Sequence, residues 1–233
     1  MKRVLYITQK PHHPIQDGGT QAIASFLLLL SKCKDMELTY VPICTLKHPG
    51  DFSKIDDSIQ LIPLRINPKV TLKVLWNSIY SPMNVLRYTR TNANSVLQSV
   101  DSEKNFEVVI CDGFYALSII PPTWFTSKRV IYRSHNLEYA HWEQRATSGT
   151  WYMRCVFNRI SRQMHRLEQK LVSASSQVLS ISYLETLKLS LWNAKTSTYY
   201  PMIHAKEKQP LPISERLSIG FVGNFEWFPN TDA

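Results

Sequence analysis

Residues 3–32 read RVLYITQKPHHPIQDGGTQAIASFLLLLSK, and three local preferences follow one another within them. RVLYIT (3–8) is a short apolar, β-prone run, and QKPHHPIQDGG (9–19) carries the prolines and glycines of a loop. TQAIASFLLLLSK (20–32) has the composition of a helix, with Thr20 as its N-cap or a first-turn residue. The chain therefore opens strand, loop, helix. ELTYVPIC (37–44) and IQLIPLRI (59–66) are the second and third strand candidates. Residues 68–100 are mostly helical, interrupted at Ser81-Pro82, where proline starts a new helix rather than continuing the old one. FEVVICDG (106–113) and KRVIYRSHN (128–136) are strand runs that turn polar at their ends. In WYMRCVFNRISRQMHRLEQKLVSAS (151–175), Met153, Val156, Phe157, Ile160, Met164, Leu167 and Leu171 fall on one face at spacings of three and four, which predicts a long helix. Its opposite face carries Arg159, Arg162, Arg166 and Lys170. SQVLSIS (176–182) is a further strand run and YLETLKLSL (183–191) a short helix. Strands alternating with helices predict a Rossmann-like, doubly wound α/β domain with a parallel sheet.

The 233 residues, 44% of them hydrophobic, are enough for one large α/β domain or two small ones. Lysine and arginine outnumber acidic residues 27 to 18, a formal charge of +9. That excess suits nucleotide phosphates, an acidic membrane surface or nucleic acid, and charge alone does not choose among them. Cys33, Cys44, Cys111 and Cys155 are far apart, with no C-x-x-C pair, which argues against zinc and for reduced thiols in a cytoplasm. The apolar run after Lys2-Arg3 is too short for a signal peptide, and no stretch approaches the roughly 20 apolar residues of a membrane span. A cytoplasmic protein is expected, with peripheral contact at the inner face of an anionic membrane left open.

In an open parallel sheet, ligands bind at the carboxyl ends of the strands. Asp17-Gly18-Gly19-Thr20 precedes a helix, where free N–H groups and about half a positive charge suit a phosphate or a sugar hydroxyl. The alternative is a turn whose glycines serve only to allow positive φ. It is neither a Walker loop nor a G-x-G-x-x-G fingerprint. Ser134, His135, Asn136 and Glu138 follow the strand RVIY (129–132), four polar side chains at one strand exit able to orient a hydroxylated ligand. A lone histidine there is more often structural; the cluster shifts that balance modestly toward function. Asp112, before Gly113, either binds ligand or caps the next helix, capping being commoner. His12-His13 read as loop polarity or acceptor contacts, and no metal is expected. The basic face from Arg159 to Lys170 is either a solvated helix face or a surface for anionic lipid. No RNP-type motif, helix-turn-helix or zinc finger points to nucleic acid.

Four segments, in this order, resemble family 4 (group 1) glycosyltransferases of the GT-B fold: residues 3–32, VIYRSHNLEY (130–139), LEQKLVSASSQVLSIS (167–182) and FVGNFEWFPNTDA (221–233). LWNSIYSPMNVLRY (75–88) is similar to the mid-domain helical segment of bacterial polysaccharide-assembly members. The resemblance implies two Rossmann-like domains facing across a cleft: 1–203 on the acceptor side, a linker at 204–215, and the opening of the nucleotide-sugar domain at 216–233. On this expectation the chain is truncated just inside its second half and is inactive alone. Gly18 and Gly19 match the family's glycine-rich first loop near donor phosphates and acceptor, with Thr20 behind them. His135 matches the histidine near the reacting sugar, and Asn136 and Glu138 its neighbours. The family's E-x7-E segment and basic donor-phosphate residues belong to the C-terminal domain, and YYPMIHA (199–205) keeps Pro201 but lacks the usual asparagine-glycine. The implied function is transfer of a sugar, with retention, from a nucleotide-sugar donor to a glycan or lipid-linked acceptor, with no cofactor. A non-catalytic glycan- or protein-binding module and a sugar-nucleotide epimerase are the alternatives.

Overall fold

In the computed structural model, residues 1–89, 91–147, 150–193 and 197–201 are described. β1 (Lys2–Thr8) leads through the proline-containing loop into α1 (Gly18–Ser31), and β2 (Met36–Cys44) returns parallel to β1. The third strand run is observed as two short pieces, β3 (Gln60–Leu61) and β4 (Leu64–Arg65), both paired with β2. Pro63 lies between them and has no N–H to continue a ladder, so the single strand expected over 59–66 breaks there. The helical stretch after it resolves into α2 (Leu72–Asn77), α3 (Met83–Thr89) and α4 (Ala93–Lys104). Pro82 lies just ahead of α3 and its carbonyl accepts the N–H groups of Val85 and Leu86, as a proline at a helix start allows.

β5 (Val108–Asp112), β6 (Arg129–Ser134), β7 (Gln177–Ser180) and β8 (Ser197–Tyr199) complete the sheet. Between them run α5 (Phe114–Ser118), α6 (Trp124–Ser127), α7 (Glu138–Thr147), α8 (Trp151–Ala174) and α9 (Tyr183–Ser190). The eight-stranded sheet follows the order β3-β2-β1-β5-β6-β7-β8, with β4 beside β2. All of its pairings are parallel. This is the doubly wound α/β sheet that the strand–helix alternation predicts. The winding reverses between β1 and β5, whose last residues Thr8 and Asp112 are register partners. That reversal opens a crevice at the carboxyl edge of the sheet.

Alternation along the strands makes two cores. Leu5, Ile7, Val109, Cys111, Val130 and Tyr132 face α3, α4, α5 and α8 through Val85, Leu97, Phe114, Met164 and Val172. Val4, Tyr6, Leu38, Tyr40 and Ile110 face α1 through Phe26 and Leu27. Residues 204–215 and 216–233, expected as linker and second-domain opening, lie outside the described residues. Among the described residues no helix is long and apolar enough to cross a membrane.

Candidate functional site

The same period of two that builds the cores aims Ile110 and Asp112, and Ile131, Arg133 and His135, at the α1 side of the sheet. Asp112 is fully buried, and three donors converge on its carboxylate. The Tyr6 hydroxyl donates to Oδ2, Arg133 Nη1 donates to the same oxygen at 2.9 Å, and His135 Nε2 donates to Oδ1. Burial alone would push the Asp112 carboxyl up, but the His135 ring, the Arg133 guanidinium and the Tyr6 hydroxyl hold it down at about 2. Arg133 is only 1% exposed and its guanidinium stacks 4.7 Å over the Phe26 ring of α1. With Nε2 committed to Asp112, the His135 ring is fixed in orientation and Nδ1 is the nitrogen available to a ligand.

Next to His135 the chain turns into α7, whose first N–H groups would otherwise lack partners. The two carboxylate oxygens of Glu168, from α8, accept the N–H groups of Glu138 and Tyr139 at 3.1 Å each. Glu185, from α9, accepts that of Leu137 at 3.1 Å. A cleft of about 310 Å³ opens beside this start of α7, lined by Asn136, Leu137, Glu138, Ala140, His141, Gln144 and Glu185. Burial pushes Glu138 up to about 7, with Glu185 adding repulsion. Burial likewise pushes Glu168 up to about 8, against the two N–H bonds that favour its charged form.

These raised values carry a stability prediction. The folded protein holds protons that the unfolded chain, with glutamates near 4.3, has already lost. The contribution is therefore complete below the unfolded value and is lost as pH rises through 7 and 8. Stability from denaturant melts is expected to fall between about pH 4.5 and pH 8 and to level off above that, with a slope of at most about 1.4 kcal/mol per pH unit for each proton. Glu168→Gln flattens that profile; an equally steep fall in the variant would count against this assignment.

At the first loop the structure places Thr20 in the first turn of α1, the second of its two expected roles. Asp17, not Thr20, is the N-cap of α1: Thr20 N donates to Asp17 Oδ1 at 2.7 Å, and Thr20 Oγ1 accepts from Asp17 N at 3.1 Å, a reciprocal capping box. Gly18 and Gly19 form the first turn of the helix, and neither has positive φ, so the reading of these glycines as a positive-φ turn fails. Lys10 Nζ reaches both Asp17 oxygens at 2.6 Å and would lie 3.0 Å from a Cβ at Gly19. Positive φ is needed at Gly113 instead (φ 92°, ψ 154°), where a Cβ would meet Gln9 Cδ at 2.2 Å. Gly113→Ala is expected to destabilise the fold by about 1–3 kcal/mol. Gly18→Ala, with nothing within 4 Å of its Cβ, is expected to stabilise it by roughly 0.4–1 kcal/mol. Urea melts of the two variants check both signs.

Asp112 does not cap α5 either: Gly113 is the N-cap and makes no side-chain cap bond. Its buried carboxylate organises the strand ends instead. The structure thus gathers Asp112, His135, Asn136 and Glu138 at the ends of β5 and β6, while Gly18, Gly19 and Thr20 stand at the end of the neighbouring β1 loop. The two loops meet where Gln9 N donates to the Asp112 carbonyl at 3.0 Å and the Gln9 side chain covers Gly113. His12 and His13 stand apart, their ring centroids separated by 6.4 Å, with His12 N donating to the Tyr40 hydroxyl. Among the described residues no group of three His, Cys, Asp or Glu side chains could hold a metal ion. Sequence reasoning missed Tyr6, Lys10, Arg133, Glu168 and Glu185. Glu168 carried a readable signal, a carboxylate four residues from both Met164 and Val172 on the buried stripe of α8.

No protein-family model matches the sequence, and no curated protein is similar to it in sequence. Solved structures match in fold. Sucrose-phosphate synthase from Thermosynechococcus elongatus superposes with a TM-score of 0.51 at 9% identity, over 86% of this chain and 47% of that one. A UGT transferase from Siraitia grosvenorii in complex with UDP superposes with a TM-score of 0.52 at 9% identity, over 89% of this chain and 53% of that one. The chain spans about half the length of each. Its sheet and flanking helices have the Rossmann-like α/β fold of GT-B glycosyltransferase domains.

Proposed function

We propose that this domain is the acceptor-side half of a retaining GT-B glycosyltransferase of family 4, moving a sugar from a nucleotide-sugar donor to a hydroxyl of a glycan or lipid-linked acceptor in polysaccharide or glycan biosynthesis. The observation that carries the reading is the buried His135–Asp112 pair at the carboxyl edge of the sheet, beside the cleft of Asn136, Glu138 and Glu185. Carboxyl and amide groups exchange hydrogen bonds with sugar hydroxyls, and the residues lining this cleft include no lysine or arginine to hold a diphosphate, so it suits an acceptor better than a donor. In this account His135, oriented by Asp112, positions the reacting sugar. The first turn of α1, with the backbone N–H groups of Gly18 and Gly19 and the Lys10 cation nearby, approaches the donor, and Thr20 holds that turn in shape. The cations that stabilise the departing diphosphate belong to the second domain, which residues 204–215 join and residues 216–233 open. The protein works in the cytoplasm, without a metal or other cofactor.

The test is product analysis by mass spectrometry after incubating the full-length protein with a panel of nucleotide sugars and candidate acceptors. Released nucleotide together with a glycosylated acceptor supports the proposal. An epimerised nucleotide sugar, or binding with no product from any donor, contradicts it.

A further inference from the structure

A helix normally turns its apolar stripe inward, and α2 does the reverse. Leu72, Leu75, Trp76 and Ile79 recur at i, i+3, i+4 and i+7, and all stand between 47% and 86% exposed; Val74 is the buried residue of α2. Tyr80 beside them is exposed as well. A second anomaly lies at the start of α8, where the first six residues are all exposed, Trp151, Tyr152, Met153 and Val156 among them.

The two patches are neighbours. Arg159 Nη2 donates to the Ile79 carbonyl at 2.7 Å, and Gln163 Nε2 donates to the carbonyls of Ser78 at 3.0 Å and Ile79 at 3.2 Å. Tyr152, Val156 and Arg159 follow one another at helical spacing, so the apolar stripe of α8 runs directly into this junction. Both patches also lie toward the carboxyl edge of the sheet. Glu168 binds the start of α7 at that edge, and at 1.5 Å per residue Trp151 lies about 25 Å further along α8.

Charge identifies the partner. No aspartate or glutamate occurs in residues 58–100 or 144–167, the two segments that supply this surface. Lys69, Lys73, Arg154, Arg159 and Arg162 on them are exposed. Exposed tryptophan and tyrosine among aliphatic side chains, on segments that carry cations and no carboxylate, match the interface of an anionic bilayer. We propose that α2, the turn at Ile79–Tyr80 and the first turns of α8 form a docking surface for anionic lipid. This surface is wider than the basic face from Arg159 to Lys170 and does not depend on the transferase reading. The chain leaves the described region on the opposite side, where the Tyr200 ring packs on Phe26 of α1.

The test is co-sedimentation of the protein with phosphatidylcholine vesicles, with and without phosphatidylglycerol, read together with the tryptophan emission maximum. Binding is expected only with the anionic lipid, with a blue-shifted emission, and weakening as salt is raised. Lys69→Glu with Lys73→Glu is expected to weaken it at least about tenfold. Trp76→Ser with Trp151→Ser, at sites exposed enough to spare the fold, is expected to abolish the blue shift. Equal binding to neutral vesicles, no binding, or binding unchanged in both double variants overturns the proposal. So does a dimer in sedimentation that Trp76→Ser with Trp151→Ser dissociates, since the surface would then serve a second copy of the chain. Because no sugar donor enters the assay, its outcome is separate from that of the transfer experiment.

Discussion

Asp112→Ala is expected to cost the domain about 3–5 kcal/mol, because it leaves the Arg133 guanidinium buried with its charge uncompensated. Arg133 is 1% exposed, and its hydrogen bond to Asp112 is its ion pair among the described residues. The Tyr6 hydroxyl and the His135 ring lose their acceptor in the same substitution. A loss of that size is a large share of the roughly 5–15 kcal/mol that holds a typical domain together. At 2–4 °C per kcal/mol for a domain of this size, the melting temperature should fall by roughly 6–20 °C. The comparison that isolates the cause is Asp112→Leu with Arg133→Met. If uncompensated charge is responsible, removing both partners costs less than removing Asp112 alone. A double variant as unstable as the sum of the single variants would show that the pair acts through shape instead. Acid should reproduce the effect in the wild type. The lowered Asp112 value gives stability that is present above the unfolded value near 3.9 and is lost as pH falls toward 2.

The sheet was legible because its strands are apolar on both faces and separated by helical composition, a pattern that parallel α/β packing imposes. RVLYIT, ELTYVPIC and VVICD needed no tertiary information. What escaped was short or long-range. β8 is three residues long, and IQLIPLRI reads as one strand until Pro63 is asked for the N–H it lacks. The polar cluster after β6 was legible as a run of unlike side chains, HN-E. Its partners were not, since Tyr6, Glu168 and Glu185 come from β1, α8 and α9. From sequence, Asp112 reads as a ligand contact or a helix cap, because both roles are visible locally. The fold placed it opposite Arg133, 21 residues away, and that pairing is decided by strand order.

His135→Ala is expected to lower sugar transfer by about 100-fold or more, the scale of losing one group that positions or stabilises the reacting centre. The fold should survive the change. Asp112 keeps Tyr6 and Arg133, so the loss of one charged hydrogen bond is expected to cost about 1.5–3 kcal/mol. His135→Gln separates the two effects. Its amide can still donate toward Asp112, so stability should recover, while a glutamine offers no imidazole ring to the reacting sugar and transfer should stay low. Recovery of both in His135→Gln would reduce His135 to a prop for Asp112.

The central claim is that the carboxyl edge around His135 and Asp112 is one half of a sugar-transfer cleft. Acceptor-dependent nucleotide release by the full-length protein, measured beside His135→Ala and residues 1–233 alone, tests it most directly. The account predicts turnover by the wild type, a loss of about 100-fold in His135→Ala with the fold intact, and no turnover by residues 1–233. Full activity in His135→Ala, or transfer by residues 1–233 alone, would contradict it.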